Sequence, residues 1–105
     1  MKSPRSSPSG PVRVRWTRRA LRALDGIADY IAQDSPAAAR RAVVRVEHAV
    51  GQLALQPSIG RSGRVVGTRE LVVSGTPFIV PYRVRGKHVE ILAVLHTARR
   101  WPDDF

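Results

Sequence analysis

The first residues with a regular hydrophobic pattern are 12–16, where apolar and basic residues alternate. Val12, Val14 and Trp16 fall on one side of this stretch, and Arg13 and Arg15 fall on the other. A period of two residues is typical of a strand with one buried face. We therefore predict a first strand here, with Trp16 in the core.

The pattern becomes helical after residue 17 and predicts two helices joined by a short link. Thr17 is placed to cap a helix from 18 to about 33, and Ser35 with Pro36 begins a second helix that ends near Leu55. Because the link is short, the helices are expected to form an antiparallel hairpin. The expected buried positions are Leu21, Leu24, Ile27, Ala28 and Ile31 in the first helix and Ala39, Ala42, Val43, Val46, Val50 and Leu53 in the second.

Three further apolar runs, rich in Val, Ile, Tyr and Phe, occupy 69–73, 78–84 and 89–95. Breaks that contain glycine separate them, which is typical of consecutive antiparallel strands joined by tight turns. Pro81 cannot donate a hydrogen bond between strands and indicates an edge position or a bulge. The glycine-containing stretch 58–68 is interpreted as a connecting loop. The order β-α-α-β-β-β predicts an α+β fold, with a helical hairpin packed on one face of a small, largely antiparallel sheet.

Strict alternation in the last run divides its side chains between the two faces of the sheet. Expected to face the helices are Val89, Ile91, Ala93 and Leu95, and expected to face outward are His88, Glu90, Leu92, Val94 and His96. Ile79 adds to the outer face if it also points outward. An outer face that mixes such apolar groups with Arg83 and Arg85 is typical of a protein-binding surface.

Composition adds a strong positive charge to this picture. The 105 residues are enough for one domain, their formal net charge is +10, and sixteen of the eighteen basic residues are arginine. The guanidinium group binds phosphates and carboxylates, so a polyanionic or acidic partner is indicated, although a solvated surface is the simpler reading of any single arginine. The absence of cysteine excludes disulfides, thiolate zinc sites and cysteine nucleophiles.

The N-terminal stretch 1–11 contains mainly Ser, Pro, Gly and cations and is predicted to be a disordered basic tail. No apolar segment follows its basic start, so we expect no secretory signal. No apolar run approaches the roughly 20 residues that cross a bilayer. We therefore expect a cytoplasmic protein without a membrane partner.

His96 is the side chain for which a catalytic role is considered. A histidine near Arg69, Arg83 and Arg99 could act as general acid or base in RNA cleavage, with arginine stabilising the pentavalent phosphate. A histidine at the end of a strand is more often a simple hydrogen-bonding residue, so both readings stay open. No metal-ligand spacing is present, so we expect no metal and no cofactor.

The segments that carry a family resemblance occur in order along nearly the whole chain. They are Trp16-Thr17, the helix sequence from Ala20 to Ile31, Ser35-Pro36 followed by Ala38-Ala39-Arg40-Arg41, Pro57 with Gly60-Arg61, the stretch 67–73, Tyr82-Arg83-Val84, and the stretch 91–96 with Arg99. Together they resemble the ParE/RelE toxins of type II toxin–antitoxin systems, from Val12 to about Trp101.

The resemblance implies a single toxin-like domain over 12–105 that a cognate antitoxin neutralises with an acidic or amphipathic segment. RelE-like members cut messenger RNA at the ribosome without a metal, using basic side chains on the sheet. ParE-like members poison DNA gyrase and have no established enzymatic activity of their own. Neither activity implies a small-molecule substrate.

Two departures from the RelE-like pattern favour the ParE-like reading. Val72 and Ile79 stand where RelE-like members carry basic sheet residues, and Phe105 stands at the position of a tyrosine. A phosphotransfer site without these donors loses roughly several kcal/mol of transition-state stabilisation. We therefore expect a toxin that binds a protein target, DNA gyrase.

The alternative is a ribosome-dependent endoribonuclease that uses Arg69, Arg83 and His96. A basic nucleic-acid-binding module without toxicity is a third class, but few aromatic residues are available in the sheet half to stack on bases. The residues predicted to contact the antitoxin or the target are Arg64, Ile79, Arg85, Leu92, Val94 and Arg99.

Overall fold

The computed structural model of the chain describes residues 12–98. The predictions for the tail at 1–11 and for Arg99, Trp101 and Phe105 lie outside the described residues. Within them the helices are α1 (Arg18–Ala32), α2 (Pro36–Gly51) and a 3-10 turn (Gln52–Ala54). The strands are β1 (Arg13–Trp16), β2 (Arg61–Ser62), β3 (Arg69–Val72), β4 (Phe78–Arg85), β5 (His88–Ile91) and β6 (Leu95–His96).

Both helices begin at the side chains that the sequence indicates. The Thr17 hydroxyl accepts a hydrogen bond from the Ala20 amide at 3.1 Å and donates one to the Ile91 carbonyl at 2.7 Å. Ser35 accepts from the Ala38 amide at 3.1 Å, and Pro36 occupies the first turn of α2. Each cap satisfies a backbone N–H that the helix leaves without a partner. Thr17 in addition fixes the start of α1 to the end of β5.

The core lies between the helical hairpin and one face of the sheet. Its buried side chains include Ala20, Leu24, Val46, Val50 and Leu53 from the helical segment and Leu71, Val80, Tyr82, Val89 and Ile91 from the strands. The predicted stripe of α1 is wrong at Leu21, which is 47% exposed, whereas Ala20 is fully buried. Leu21 and Ala20 lie three and four residues before Leu24, so the helical spacing fits both, and packing in the core selects Ala20.

The described strands form one six-stranded sheet with the order β1-β5-β4-β3-β2, and β6 also pairs with β4. The predicted fold class is confirmed. β1 runs parallel to β5, since the helical hairpin carries the chain across the sheet, and the other pairings are antiparallel. The stretch 58–68 is more than the predicted loop, because it contains β2, which pairs with the start of β3.

Pro81 marks a bulge in the middle of the sheet. Ile79 pairs with Leu95 and Tyr82 pairs with Ile91. Two residues of β4, 80–81, therefore lie opposite three residues, 92–94, of the segment that joins β5 to β6. One extra residue in a strand pair is a β-bulge. The bulge stands where Pro81 has no N–H to donate, while the Pro81 carbonyl accepts from the Leu92 amide at 2.9 Å. Of the two explanations predicted for Pro81, the bulge is confirmed.

The bulge overturns the predicted alternation after Ile91. His96 pairs with the core residue Phe78, and Leu95 pairs with Ile79, which is the reverse of the predicted faces. A shift of one residue moves every following side chain to the other face. Val94, predicted to face outward, therefore belongs to the core cluster and is 4% exposed.

The Tyr82 hydroxyl fastens the end of the helical segment to the sheet. It accepts from the Gly60 amide at 2.8 Å and donates to the Pro57 carbonyl at 2.8 Å, with the ring fully buried. A side chain at Gly60 would come within 2.6 Å of the tyrosine ring, so this approach requires glycine. Burial raises the pKa of Tyr82 above its ordinary value, which keeps the hydroxyl protonated and able to donate.

Replacing Tyr82 with phenylalanine removes both hydrogen bonds and leaves a buried amide without its partner. We expect Tyr82→Phe to lower the free energy of unfolding by about 1–3 kcal/mol. Tyr30→Phe is the matched control, because Tyr30 is 63% exposed, and it should lower stability by less than Tyr82→Phe does. Denaturant unfolding of the two variants measures the difference, and equal losses would contradict the role assigned to Tyr82.

Candidate functional site

The outer face of the sheet, opposite the helices, carries an ordered array of charged side chains. Cross-strand pairing places Arg13, His88 and Arg85 in one row and Arg15, Glu90 and Arg83 in the next. The six side chains share a face, because the residues between them, Val14 and Val89 among others, pack toward the core. We call these six residues the arginine grid.

Glu90 is the acidic member of the arginine grid. Its carboxylate accepts from Arg83 Nε at 2.7 Å, and Arg85 Nε lies 3.9 Å away. The hydrogen bond from Arg83 holds the pKa of the Glu90 carboxyl below its ordinary value, and the charges of Arg85 and Arg15 act in the same direction. Three arginines therefore act on one ionised carboxylate, and with Arg13 in the other row the array keeps an excess of positive charge.

Glu70 organises a second cluster, near the β3–β2 edge of the sheet. It is 4% exposed and accepts from Arg61 Nε at 3.1 Å and from the Arg64 amide at 3.0 Å. The Arg64 guanidinium lies 3.8 Å from the same carboxylate. A buried carboxylate requires such donors, since its desolvation is otherwise costly. Glu70 thus holds the segment after the 3-10 turn against β3 and sets the positions of two arginines.

The residues considered for ribonuclease chemistry lie in separate places. Arg69 pairs with Tyr82 on the helix-facing side, where it donates to the carbonyls of Gly60 at 2.8 Å and Ser58 at 3.2 Å. Arg83 lies on the opposite face, bound to Glu90. Arg69 therefore supports a loop, and the sheet stands between its side chain and Arg83.

His96 is remote from both arginines. It packs edge-to-face on Phe78, with ring centroids 5.7 Å apart, and its Nδ1 accepts from the Ala98 amide at 3.0 Å. Since Phe78 is five residues from Arg83 along β4, the separation is roughly 17 Å at about 3.3 Å per residue. The structure therefore does not bring Arg69, Arg83 and His96 to one point.

The residues predicted to contact a partner differ in exposure. Arg64 and Arg85 are exposed, whereas Ile79, Leu92 and Val94 are each at most 5% exposed. The prediction that these three apolar side chains form an open outer surface is wrong: after the bulge Val94 packs in the core, and Ile79 and Leu92 are also buried. The side chains that stay accessible around Leu92 include Val66, Val84 and Arg85, which line a shallow depression with it.

A groove between the helical hairpin and the β4–β6 end of the sheet was not predicted from the sequence. It encloses about 1040 Å³ and is lined by apolar groups together with two arginines, His96 and Tyr30. We call it the hairpin groove; its main lining residues are Ile27, Ile31, Phe78, Val94, Arg41 and Arg45. The signal in the sequence is an apolar stripe on α1 that is longer than the sheet can cover. Ile27 and Ile31 are accordingly only partly buried.

Arg41 and Arg45 give this groove a basic rim. Arg45 donates to the Ser74 carbonyl at 3.2 Å, which fixes its side chain across the turn between β3 and β4. Arg41 is exposed, one helical turn before it. An apolar floor with two cations at the rim has the chemistry to accept an amphipathic segment with acidic residues on one side.

Two further properties bear on the kind of site. Within residues 12–98, no group of three or more His, Asp or Glu side chains is arranged to hold a metal ion. None of the helices in the same range has the length and apolar character needed to span a membrane.

Comparison with protein families places residues 14–101 in the family described as ParE toxin of type II toxin–antitoxin system, parDE. Among curated relatives, a protein of Sinorhizobium fredii named as a toxin, Y4kP, is 52% identical over 90 residues, covering 86% of this chain and 93% of the relative. Toxin RelE2 of Caulobacter vibrioides is 43% identical over 86 residues, covering 82% of this chain and 96% of the relative.

Solved structures show the same similarity. A chain from the chromosomal ParDE system of P. aeruginosa superposes with a TM-score of 0.74 at 34% identity, covering 81% of this chain and 95% of the other. A chain from the toxin–antitoxin complex RelBE2 of Mycobacterium tuberculosis gives a TM-score of 0.58 at 30% identity, with 82% and 98% covered. Both names, ParE and RelE, thus occur among the matching families and relatives.

Removing the charge of Glu70 tests whether it secures the segment that carries Arg61 and Arg64. We expect Glu70→Gln to lower the free energy of unfolding by about 2 kcal/mol, because charge-assisted hydrogen bonds to a buried acceptor are lost. Glu90→Gln is the matched control at an accessible carboxylate and should cost clearly less. Denaturant unfolding and proteolysis at 61–68 measure both effects. An equal loss in the two variants would show that burial of Glu70 has no special effect.

Proposed function

This chain belongs to the ParE toxin family of type II toxin–antitoxin systems, and we propose that it arrests growth by binding a protein target, DNA gyrase. The family membership rests on the match over residues 14–101 and on relatives of up to 52% identity. The chain is therefore a toxin of such a system. The choice of target is the proposal, and the positions of the candidate catalytic side chains support it.

The observation that carries the proposal is the separation of Arg69, Arg83 and His96. Cleavage of RNA by acid–base chemistry requires a base and cationic groups within hydrogen-bond reach of one phosphate. Here Arg69 is engaged with two backbone carbonyls, Arg83 with Glu90, and His96 with the Ala98 amide. Ile79 is buried and apolar at a position where RelE-like members carry a basic side chain. These features support inhibition by binding.

The proposed inhibitory partner of the toxin is a cognate antitoxin that occupies the hairpin groove. The solved relatives come from a ParDE system and a RelBE2 toxin–antitoxin complex. The groove offers a long apolar floor from Ile27 to Phe78, with Arg41 and Arg45 at its rim. An amphipathic helix with acidic residues on one side would bury its apolar side chains on this floor and pair its carboxylates with the arginines. Its burial would add the hydrophobic free energy that a purely charged contact lacks.

Expression of the toxin without its antitoxin tests the target. We expect growth arrest with induction of the SOS response and accumulation of cleaved DNA. With purified components, the toxin should inhibit supercoiling by gyrase and trap its cleaved DNA complex. His96→Gln should leave both effects unchanged, because the proposed activity requires no acid–base group.

The endoribonuclease alternative predicts a different outcome of the same experiment. Immediate loss of translation with transcripts cut on the ribosome, abolished in a folded His96→Gln variant, would replace this proposal with the endoribonuclease alternative. Thermal unfolding of the variant shows whether its fold is retained.

Neutralisation by the antitoxin tests the hairpin groove. We expect Arg41→Glu to weaken binding of the antitoxin at least about tenfold, equivalent to about 1.4 kcal/mol, since a cation at the rim becomes a like charge. Arg40→Glu is the matched control, because Arg40 is exposed on the same helix and does not line the groove. Calorimetric titration measures both affinities, and co-expression shows whether toxicity escapes neutralisation. Equal weakening by the two variants would place the antitoxin elsewhere.

A further inference from the structure

Neither binding in the hairpin groove nor inhibition of a protein target accounts for the positive charge and the fixed spacing of the arginine grid. Its six side chains lie on three paired strands, so their spacing is set by the sheet. Neighbouring strands are roughly 4.8 Å apart and alternate residues roughly 6.7 Å apart, so the Cα atoms of the four arginines mark a rectangle of roughly 10 by 7 Å. The grid is therefore a preorganised, nearly planar cluster of positive charge.

The side chains of the grid are available to a partner. Arg13 and Arg15 are exposed, and within residues 12–98 neither forms an ion pair. Arg83 and Arg85 retain 38% and 63% of their accessible surface even though Glu90 lies between them. A single carboxylate cannot neutralise four guanidinium groups. The excess charge faces solvent, and Lys87 in the adjoining turn, also exposed, increases it.

The absence of apolar groups among the six positions limits the kind of partner. Protein interfaces obtain most of their affinity from buried aromatic or aliphatic anchors surrounded by a polar rim. The six grid positions are four arginines, a histidine and a glutamate, and none of them is such an anchor. The exposed Val66 and Val84 lie beside Arg83 and Arg85, outside the six positions. The phosphate backbone of a nucleic acid requires none, because release of counterions by clustered cations supplies the binding free energy.

The grid also has few of the groups that hold single strands. Unpaired bases are bound by stacking on aromatic rings, and among the six positions only His88 carries a ring. A duplex hides its bases and presents phosphates at one charge per roughly 1.7 Å of axis, which matches a rigid cationic patch. We infer that the outer face of β1, β5 and β4 docks on the phosphate backbone of duplex DNA through Arg13, Arg15, Arg83 and Arg85.

This contact is independent of sequence, because phosphates carry no base information. It stands on the geometry of the sheet alone and does not require gyrase to be the target. Glu90 opposes this contact with DNA. As the one anionic side chain of the grid it repels phosphate, so it limits the affinity for DNA.

The experiment measures binding of the purified full chain to a short labelled DNA duplex by fluorescence anisotropy over a series of salt concentrations. We expect Arg13→Gln/Arg15→Gln to weaken binding several-fold at about 50 mM salt and to reduce the slope of log K against log salt by about 1–2. The matched control is Arg22→Gln/Arg40→Gln, which removes the same charge from the helices, at exposed positions outside the grid. It should leave the slope unchanged. Glu90→Gln should bind more tightly than the unmodified chain.

Several results would overturn the inference. One is equal weakening by the two double variants, which would mean that only the net charge of the protein matters. Others are binding of single-stranded DNA or RNA at least as tight as that of the duplex, and displacement of the duplex by polyglutamate as effective as displacement by unlabelled duplex. A chain that does not bind duplex at about 50 mM salt would also contradict it. Circular dichroism of each variant establishes that the fold is intact.

Discussion

Pro81 lies in the central strand of the sheet, where it has no N–H to offer the neighbouring strand. The chain accommodates this by inserting one extra residue opposite it, between Ile91 and Leu95. The side chains that follow the bulge therefore lie on the face of the sheet opposite to the one that strict alternation predicts. His96 joins Phe78 on the helix side, and Val94 enters the core. The lining of the hairpin groove at its β6 side follows from this one backbone constraint.

The sheet consequently offers two surfaces of opposite chemistry. On one side of the bulge, β1, β5 and the end of β4 present four arginines, Glu90 and His88 in a fixed array. Beyond it, the sheet and the helical hairpin enclose an apolar groove with arginines at the rim. An apolar groove favours a partner that contributes hydrophobic side chains, whereas a charged array favours a polyanion and depends strongly on salt. A small toxin can in this way engage different partners without competition for one site.

Much of this fold follows from local sequence signals. The caps at Thr17 and Ser35, the break at Pro36 and the apolar stripe of α2 are determined by short-range chemistry, and the structure confirms them. The α+β class follows from the order of periodic segments. The error at Leu21 arose because two adjacent stripes on α1 fit the same spacing, and only packing against the sheet selects Ala20.

The functional surfaces could be predicted only in part, since they depend on pairings between distant segments. Pro81 signalled a bulge, but a sequence does not show which neighbouring residue becomes the extra one, so the faces of Leu92 and Val94 were assigned wrongly. The arginines of β1 and β4 are visible in the sequence as alternating charges. Their assembly into rows depends on the parallel pairing of β1 with β5, which no short-range pattern encodes.

That parallel pairing has a consequence for synthesis of the protein. β1 is among the first described residues to leave the ribosome, yet its partner strand ends at Ile91, and the bond from Thr17 to Ile91 spans 74 positions. Contacts of such high sequence separation form late, because closure of the intervening loop must come first. The nascent chain can form its helical hairpin early, but β1 stays unpaired until β5 has been synthesised. A nascent chain that stops before residue 88 therefore lacks the complete sheet, and the charged face forms only after His88–Ile91 has been added.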